Sequence, residues 1–138
     1  MPASTGQTLS WSSFEGKIPI LLVCMPDGID TELLAGFDVL HSRFGDHRIQ
    51  LMGVAPATAR EVREVADRSS ITFPILADPS RVVLSTVETK PAAVLYDRAG
   101  QEVRVYDLTD PAVTPEAVIQ DISSMVAAGS LDTMEKGS

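Results

Sequence analysis

Apolar residues run almost unbroken over positions 18–25, Ile-Pro-Ile-Leu-Leu-Val-Cys-Met, the pattern of a strand covered on both faces. Leu33, Leu34, Phe37, Leu40 and Phe44 then recur at three- and four-residue steps. That spacing predicts one helix of about 14 residues with a single buried face. Residues 49–55 predict a second core strand, and 58–68 a helix burying Val62, Val65 and Ala66. A short strand at 72–76 carries Pro74, a brief helical segment follows at 81–85, and strands at 92–96 and 103–106 form a hairpin. Val118, Ile119, Ile122, Met125 and Val126 line a last helix, and residues 8–11 are a candidate edge strand.

Polar residues punctuate these runs where helices and turns need them. Asp30 can cap the first helix by accepting from amides left free in its first turn, with Glu32 well placed against the helix dipole. Thr58 and Glu61 have the spacing of a capping box, and Thr114-Pro115 is a cap followed by proline at the first helical position. In the turn Asp97-Arg-Ala-Gly100, the glycine can take the left-handed conformation that a short hairpin loop requires. The element order is that of an α/β sandwich whose early strands need crossover helices and whose last two form a hairpin. It predicts one domain over residues 7–128 with flexible ends at 1–6 and 129–138.

Composition narrows the function classes. With 138 residues, 44% hydrophobic and 22% charged, the chain can bury an ordinary core. Eleven Lys and Arg against nineteen Asp and Glu give a net charge of −8, which argues against nucleic acid and anionic membranes as partners. No stretch approaches the ~20 apolar residues of a membrane span, and the N-terminus lacks a basic region followed by an apolar run, so a cytoplasmic location is expected. A single cysteine excludes an intrachain disulfide and a four-thiolate zinc site. With neither a glycine-rich phosphate loop nor a Gly-x-Ser-x-Gly elbow, no cofactor is expected.

Four stretches together resemble the thioredoxin fold in its redoxin or peroxiredoxin (alkyl hydroperoxide reductase/thiol-specific antioxidant) form. They are GQTLSWSSFEGKIPILLVCMP, ITFPILADPS, KPAAVLYDRAGQEVRVYD and the helix at 114–128. The resemblance implies a three-layer α/β/α sandwich around a central mixed sheet. It also implies an active-site loop after Pro26, where a peroxiredoxin keeps Pro-x-x-x-Thr/Ser-x-x-Cys and a thioredoxin keeps Cys-x-x-Cys near Gly28-Ile-Asp-Thr31. Here Pro26 is followed by Asp-Gly-Ile-Asp-Thr-Glu, so both sulfur positions are empty. Thr89-Lys90-Pro91 is similar to the thioredoxin proline, which implies a cis peptide bond at Pro91 facing that loop. The peroxiredoxin arginine falls at about Pro91 as well and is absent.

Several residues are therefore candidates for function. Cys24 lies in the best core strand, where a free cysteine acts as a small hydrophobe; exposed at the strand end with a lowered pKa, it could instead serve as a one-cysteine peroxidase or redox sensor. Asp27, Gly28, Asp30 and Thr31 sit where the chemistry of this fold sits, with turn and cap duty as the plainer role. Were Asp27, Asp30 and Lys90 to converge, they would make a small polar site at a helix N-terminus beside Pro91. His41 and His47 flank the end of the first helix without the third ligand a metal site needs, and Trp11 and Phe14 are candidates for packing under the sheet edge or for an interface. The reading that follows is a catalytically degenerate peroxiredoxin-like domain that binds a protein or peptide partner through loop 26–31 and the Pro91 groove. A homodimer is the other association that the resemblance raises.

Overall fold

The computed structural model describes residues 18–81, 84, 90–129 and 131. The candidate strand at 8–11, Trp11, Phe14, Thr89, the first six residues, most of the C-terminal tail and most of the segment 81–85 lie outside the described residues. The elements are β1 (Ile20–Cys24), α1 (Thr31–Asp38), α2 (His41–Asp46), β2 (Gln50–Ala55), α3 (Ala59–Ser69), β3 (Ile75–Ala77), β4 (Ala92–Tyr96), β5 (Glu102–Asp107) and α4 (Pro115–Ala127).

The strands form one mixed sheet in the order β3-β2-β1-β4-β5. β1 runs parallel to β2, and β2 to β3, because helices make those crossovers; β4 is antiparallel to both β1 and β5. Alternation along β1 divides the core. Leu21 and Val23 join Leu34, Phe37, Phe44, Val62, Val118 and Ile122 on the face that receives α1 to α4. Ile20, Leu22 and Cys24 point the other way, into a cluster with Met52, Val54, Leu76, Leu84 and Val94. Every β1 residue is buried, as its unbroken apolar run implies.

Local chemistry behaves as the residue types require. The Asp30 carboxylate accepts from the Leu33 amide, the Thr58–Glu61 capping box is complete, and the Thr114 hydroxyl accepts from the Ala117 amide ahead of Pro115. Gly100 closes the β4–β5 hairpin at φ +82°.

The continuous helix expected through Phe44 is two helices. Asp38 ends α1 with its side chain turned away to Thr72, accepting from the Thr72 amide at 2.8 Å and its hydroxyl at 2.6 Å. Leu40 sits at φ −98°, ψ 2°, off the helical values, and Val39 is left 78% exposed. The break re-aims the chain so that Phe44 is fully buried beside Phe37, the ring centroids 6.3 Å apart. Close approach on the other flank explains Gly36, where a Cβ would stand 3.1 Å from Pro115 Cγ. The short strand also moves, to Ile75–Ala77, which leaves Pro74 ahead of it with its carbonyl accepting from the Gly53 amide.

Candidate functional site

The parallel strand β1 delivers the chain to a tight turn at its C-terminal end. The Met25 amide still pairs with the Val54 carbonyl, and the Gly28 amide returns to the Met25 carbonyl at 3.2 Å. Gly28 lies at φ +121°, a conformation closed to residues with a side chain, although a Cβ there would meet nothing within 4 Å. Its requirement is conformational. Asp27, Asp30 and Thr31 are exposed, and the Asp30 carboxylate is occupied in capping α1.

Cys24 stops two residues short of this loop. It is 0% exposed, its thiol makes one weak contact to the Leu22 carbonyl at 3.9 Å, and burial pushes its pKa up to about 12. A thiolate at this place would sit among the apolar side chains of Ile20, Leu22, Met52, Val54 and Val94, which cannot solvate it. Sulfur chemistry at the strand end is therefore disfavoured by the same packing that forms the core.

Across the sheet, Lys90, Pro91, Ala92, Val105 and Asp107 line a recess of about 150 Å³. Ala92 pairs with both Cys24 and Asp107, so the recess opens at the same end of the sheet as loop 26–31. Asp107 accepts from the hydroxyl and amide of Thr109, which hold its carboxyl below the usual range against a small opposing effect of burial, with a further contribution from Lys90. Lys90 thus stands with Asp107 along the recess, and neither Asp27 nor Asp30 is among the described residues that line it. No cis peptide bond occurs among the described residues, and the Lys90–Pro91 bond is trans, correcting the expectation carried by the thioredoxin proline. The Pro91 carbonyl still takes part in pairing, accepting from the Leu108 amide at 3.1 Å.

Arg81 was missed by the sequence reading, which placed it at the start of a helical segment. Its guanidinium donates to the Pro26 carbonyl at 2.7 Å, across 55 residues of chain. Arg81 itself is at φ +57°, after a turn in which its amide donates to the carbonyl of the buried Asp78. The Asp78 amide in turn donates to Ala55 at the end of β2. The phrase Asp-Pro-Ser-Arg is thus a bracket that ties the loop to the sheet. Replacing Arg81 by alanine is expected to quicken hydrogen exchange at the Gly28 amide about tenfold, the effect of losing one charge-assisted bond, while β2 amides keep their protection. Unchanged exchange at Gly28 would show that the loop stands without its brace.

The two histidines have structural partners. His41 Nδ1 lies 2.7 Å from Thr72 Oγ1 with its ring edge-on to Phe73, and His47 Nε2 lies 2.9 Å from Ser123 Oγ. Among the described residues no group of three or more His, Cys, Asp or Glu side chains is placed to hold a metal ion, and no helix is long and apolar enough to cross a membrane.

A mixed sheet in this order, with a loop and helix N-terminus after the central parallel strand and an antiparallel hairpin beyond it, defines a thioredoxin-like α/β protein. The AhpC/TSA family model matches residues 1–121, and the chain belongs to that family. Peroxiredoxin Q of Xanthomonas campestris superposes with a TM-score of 0.78 at 14% identity, covering 91% of this chain and 89% of that one. Peroxidoxin BcpB of Mycobacterium tuberculosis gives 0.77 at 17% identity, with 93% and 90% covered. A putative protein disulfide isomerase of Bacteroides thetaiotaomicron gives 0.74 at 19%, with 94% and 86% covered. These likenesses are of fold. A search of curated proteins finds no match.

Proposed function

We propose that this chain is a member of the AhpC/TSA family that has lost thiol catalysis and acts by binding a protein or peptide partner, through loop 26–31 and the recess at Pro91. The observation that carries the reading is the state of its single cysteine: Cys24 is sealed in the core with its pKa pushed up to about 12, and the loop that follows it holds no sulfur. Support for a binding role comes from what remains at that end of the sheet, a loop braced by Arg81 and a recess carrying one cation and one carboxylate. A cytoplasmic setting belongs to the same proposal, since reducing conditions suit a chain that uses no disulfide.

The test is turnover. Consumption of hydrogen peroxide and of an organic hydroperoxide, with dithiothreitol as reductant, is expected to equal the protein-free rate for wild type and Cys24→Ser alike. Peroxide consumption by the wild type that Cys24→Ser abolishes would replace this reading with a one-cysteine peroxidase. Photocrosslinking residues at Thr31 and at Lys90 are expected to capture one and the same partner in cell extract, and a reporter at Glu64 on α3 is not.

A further inference from the structure

Asp27 is the one aspartate of this chain that is followed by glycine, and the chain contains no asparagine. Every other aspartate precedes a residue with a side chain, which hinders approach to the nitrogen that follows. Asp30, Asp38, Asp97, Asp107 and Asp121 in addition have their carboxylates engaged in hydrogen bonds. Asp27 is exposed in the turn after β1, and it is Asp30 that caps α1.

The nitrogen beside it is unshielded. A Cβ added to Gly28 would meet nothing within 4 Å, and the residue lies at φ +121°. What restrains this nitrogen is the turn itself. Its N–H donates to the Met25 carbonyl at 3.2 Å, at the long end for such a bond. Between those two residues the chain is held from outside, by the Arg81 guanidinium on the Pro26 carbonyl at 2.7 Å. Attack on the Asp27 side chain needs the Gly28 nitrogen released from Met25, so it waits on local opening of the turn.

We propose that Asp27 is a site of spontaneous isoaspartate formation, and that Arg81, by holding the turn shut, sets its rate. The Gly28 nitrogen attacks the side-chain carboxyl carbon of Asp27 in its neutral acid form. A C–N bond forms, and the carboxyl hydroxyl leaves with the amide hydrogen as water, giving a five-membered succinimide. Water then adds to one of the two imide carbonyls. Addition at the side-chain carbonyl restores aspartate; addition at the main-chain carbonyl breaks its bond to nitrogen and leaves Gly28 joined through the side chain. One water is lost and one regained, so the product has the mass of the starting chain. Its main chain is one carbon longer between Pro26 and Gly28, and the former main-chain carboxyl group becomes a free carboxylate. A turn closed by Gly28 on Met25 then has one atom too many. The change falls on loop 26–31, but it requires no partner and stands apart from the binding role proposed above.

The experiment is incubation of the full chain for weeks at physiological temperature. Isoaspartate is counted by methyl transfer from labelled S-adenosylmethionine with an isoaspartyl methyltransferase, and placed by electron-transfer fragmentation. Native wild type is expected to accumulate it at position 27 ahead of every other aspartate, and Asp27→Glu, whose attack would need a six-membered ring, to lose that signal. Arg81→Ala is expected to accumulate it about tenfold faster, the factor for one lost charge-assisted bond. Because one opening event exposes the same nitrogen, hydrogen exchange at the Gly28 amide should quicken by the same factor, with protected β2 amides showing that the variant is folded. The site is overturned if native wild type stays unconverted while the urea-unfolded chain converts, or if the signal survives Asp27→Glu. The role of Arg81 is overturned if Arg81→Ala, with β2 still protected, converts at the wild-type rate. Each outcome leaves the binding reading to its own test.

Discussion

At pH 8 the native protein is expected to react with a thiol reagent at least about 1,000-fold more slowly than the denatured chain. Burial raises the Cys24 pKa from its ordinary value of 9.0 to about 12, and each unit lowers the reactive thiolate fraction about tenfold. Complete exclusion from solvent adds to that factor, so labelling should proceed through unfolding alone. The same shift has a thermodynamic side. An unfolded chain releases the thiol proton near pH 9, while the folded one keeps it until about 12, so between those values the native state binds more protons. The stabilisation is therefore fully present below pH 9 and is lost as pH rises, by about 1.4 kcal/mol per unit. Urea unfolding of wild type and Cys24→Ala between pH 8 and 11 measures it, and the variant should show the shallower decline. Tyr96, pushed up to about 12 mainly by burial and less by Cys24, contributes to both proteins and largely cancels. Rapid native labelling, or parallel pH profiles, would place Cys24 at the surface and reopen thiol chemistry.

Phe44→Ala is expected to cost about 3–5 kcal/mol and to lower Tm by roughly 10–15 °C. The argument starts from length. α2 has six residues, too few for a helix to persist on its own in water, so it is held by what it buries. Phe44 is its only buried residue, fully enclosed and tilted against Phe37, and its carbonyl accepts from the Ile49 amide where the chain turns into β2. Truncation leaves a cavity against the central sheet and removes the anchor of α2 together. Phe44→Leu, which fills most of that space, should cost less than about 1.5 kcal/mol. A loss below about 1 kcal/mol for the alanine variant in denaturant unfolding would mean that α2 docks through some other contact.

Legibility of the fold followed the range of the interaction responsible. Asp30, the Thr58–Glu61 box and Thr114-Pro115 were readable because a cap bonds amides two or three residues away, and Gly100 because a hairpin loop sets its own φ. Burial of Cys24 was readable as well, since an unbroken apolar run has no wet face on which to place one residue. The broken helix was not. Asp38 leaves α1 for a threonine 34 residues away, and heptad-like spacing is blind to that choice. Arg81 at Pro26 and Lys90 at Asp107 escaped for the same reason, each pair being brought together by strand order.

The sequence by itself therefore determined the order of elements, their caps, the apolar centre of the sheet and the lack of any sulfur in the loop after Pro26. Those properties reside in single residues and in periodicities a few residues long. Only the tertiary structure decided which side chains share the exposed end of the sheet: Arg81 braces the loop, Lys90 and Asp107 flank a recess, Pro91 sits in a trans bond, and β5 comes last in the order of the described strands. The physical reason is that pairing register places residues side by side regardless of their separation along the chain, and register is set by burial of the whole sheet.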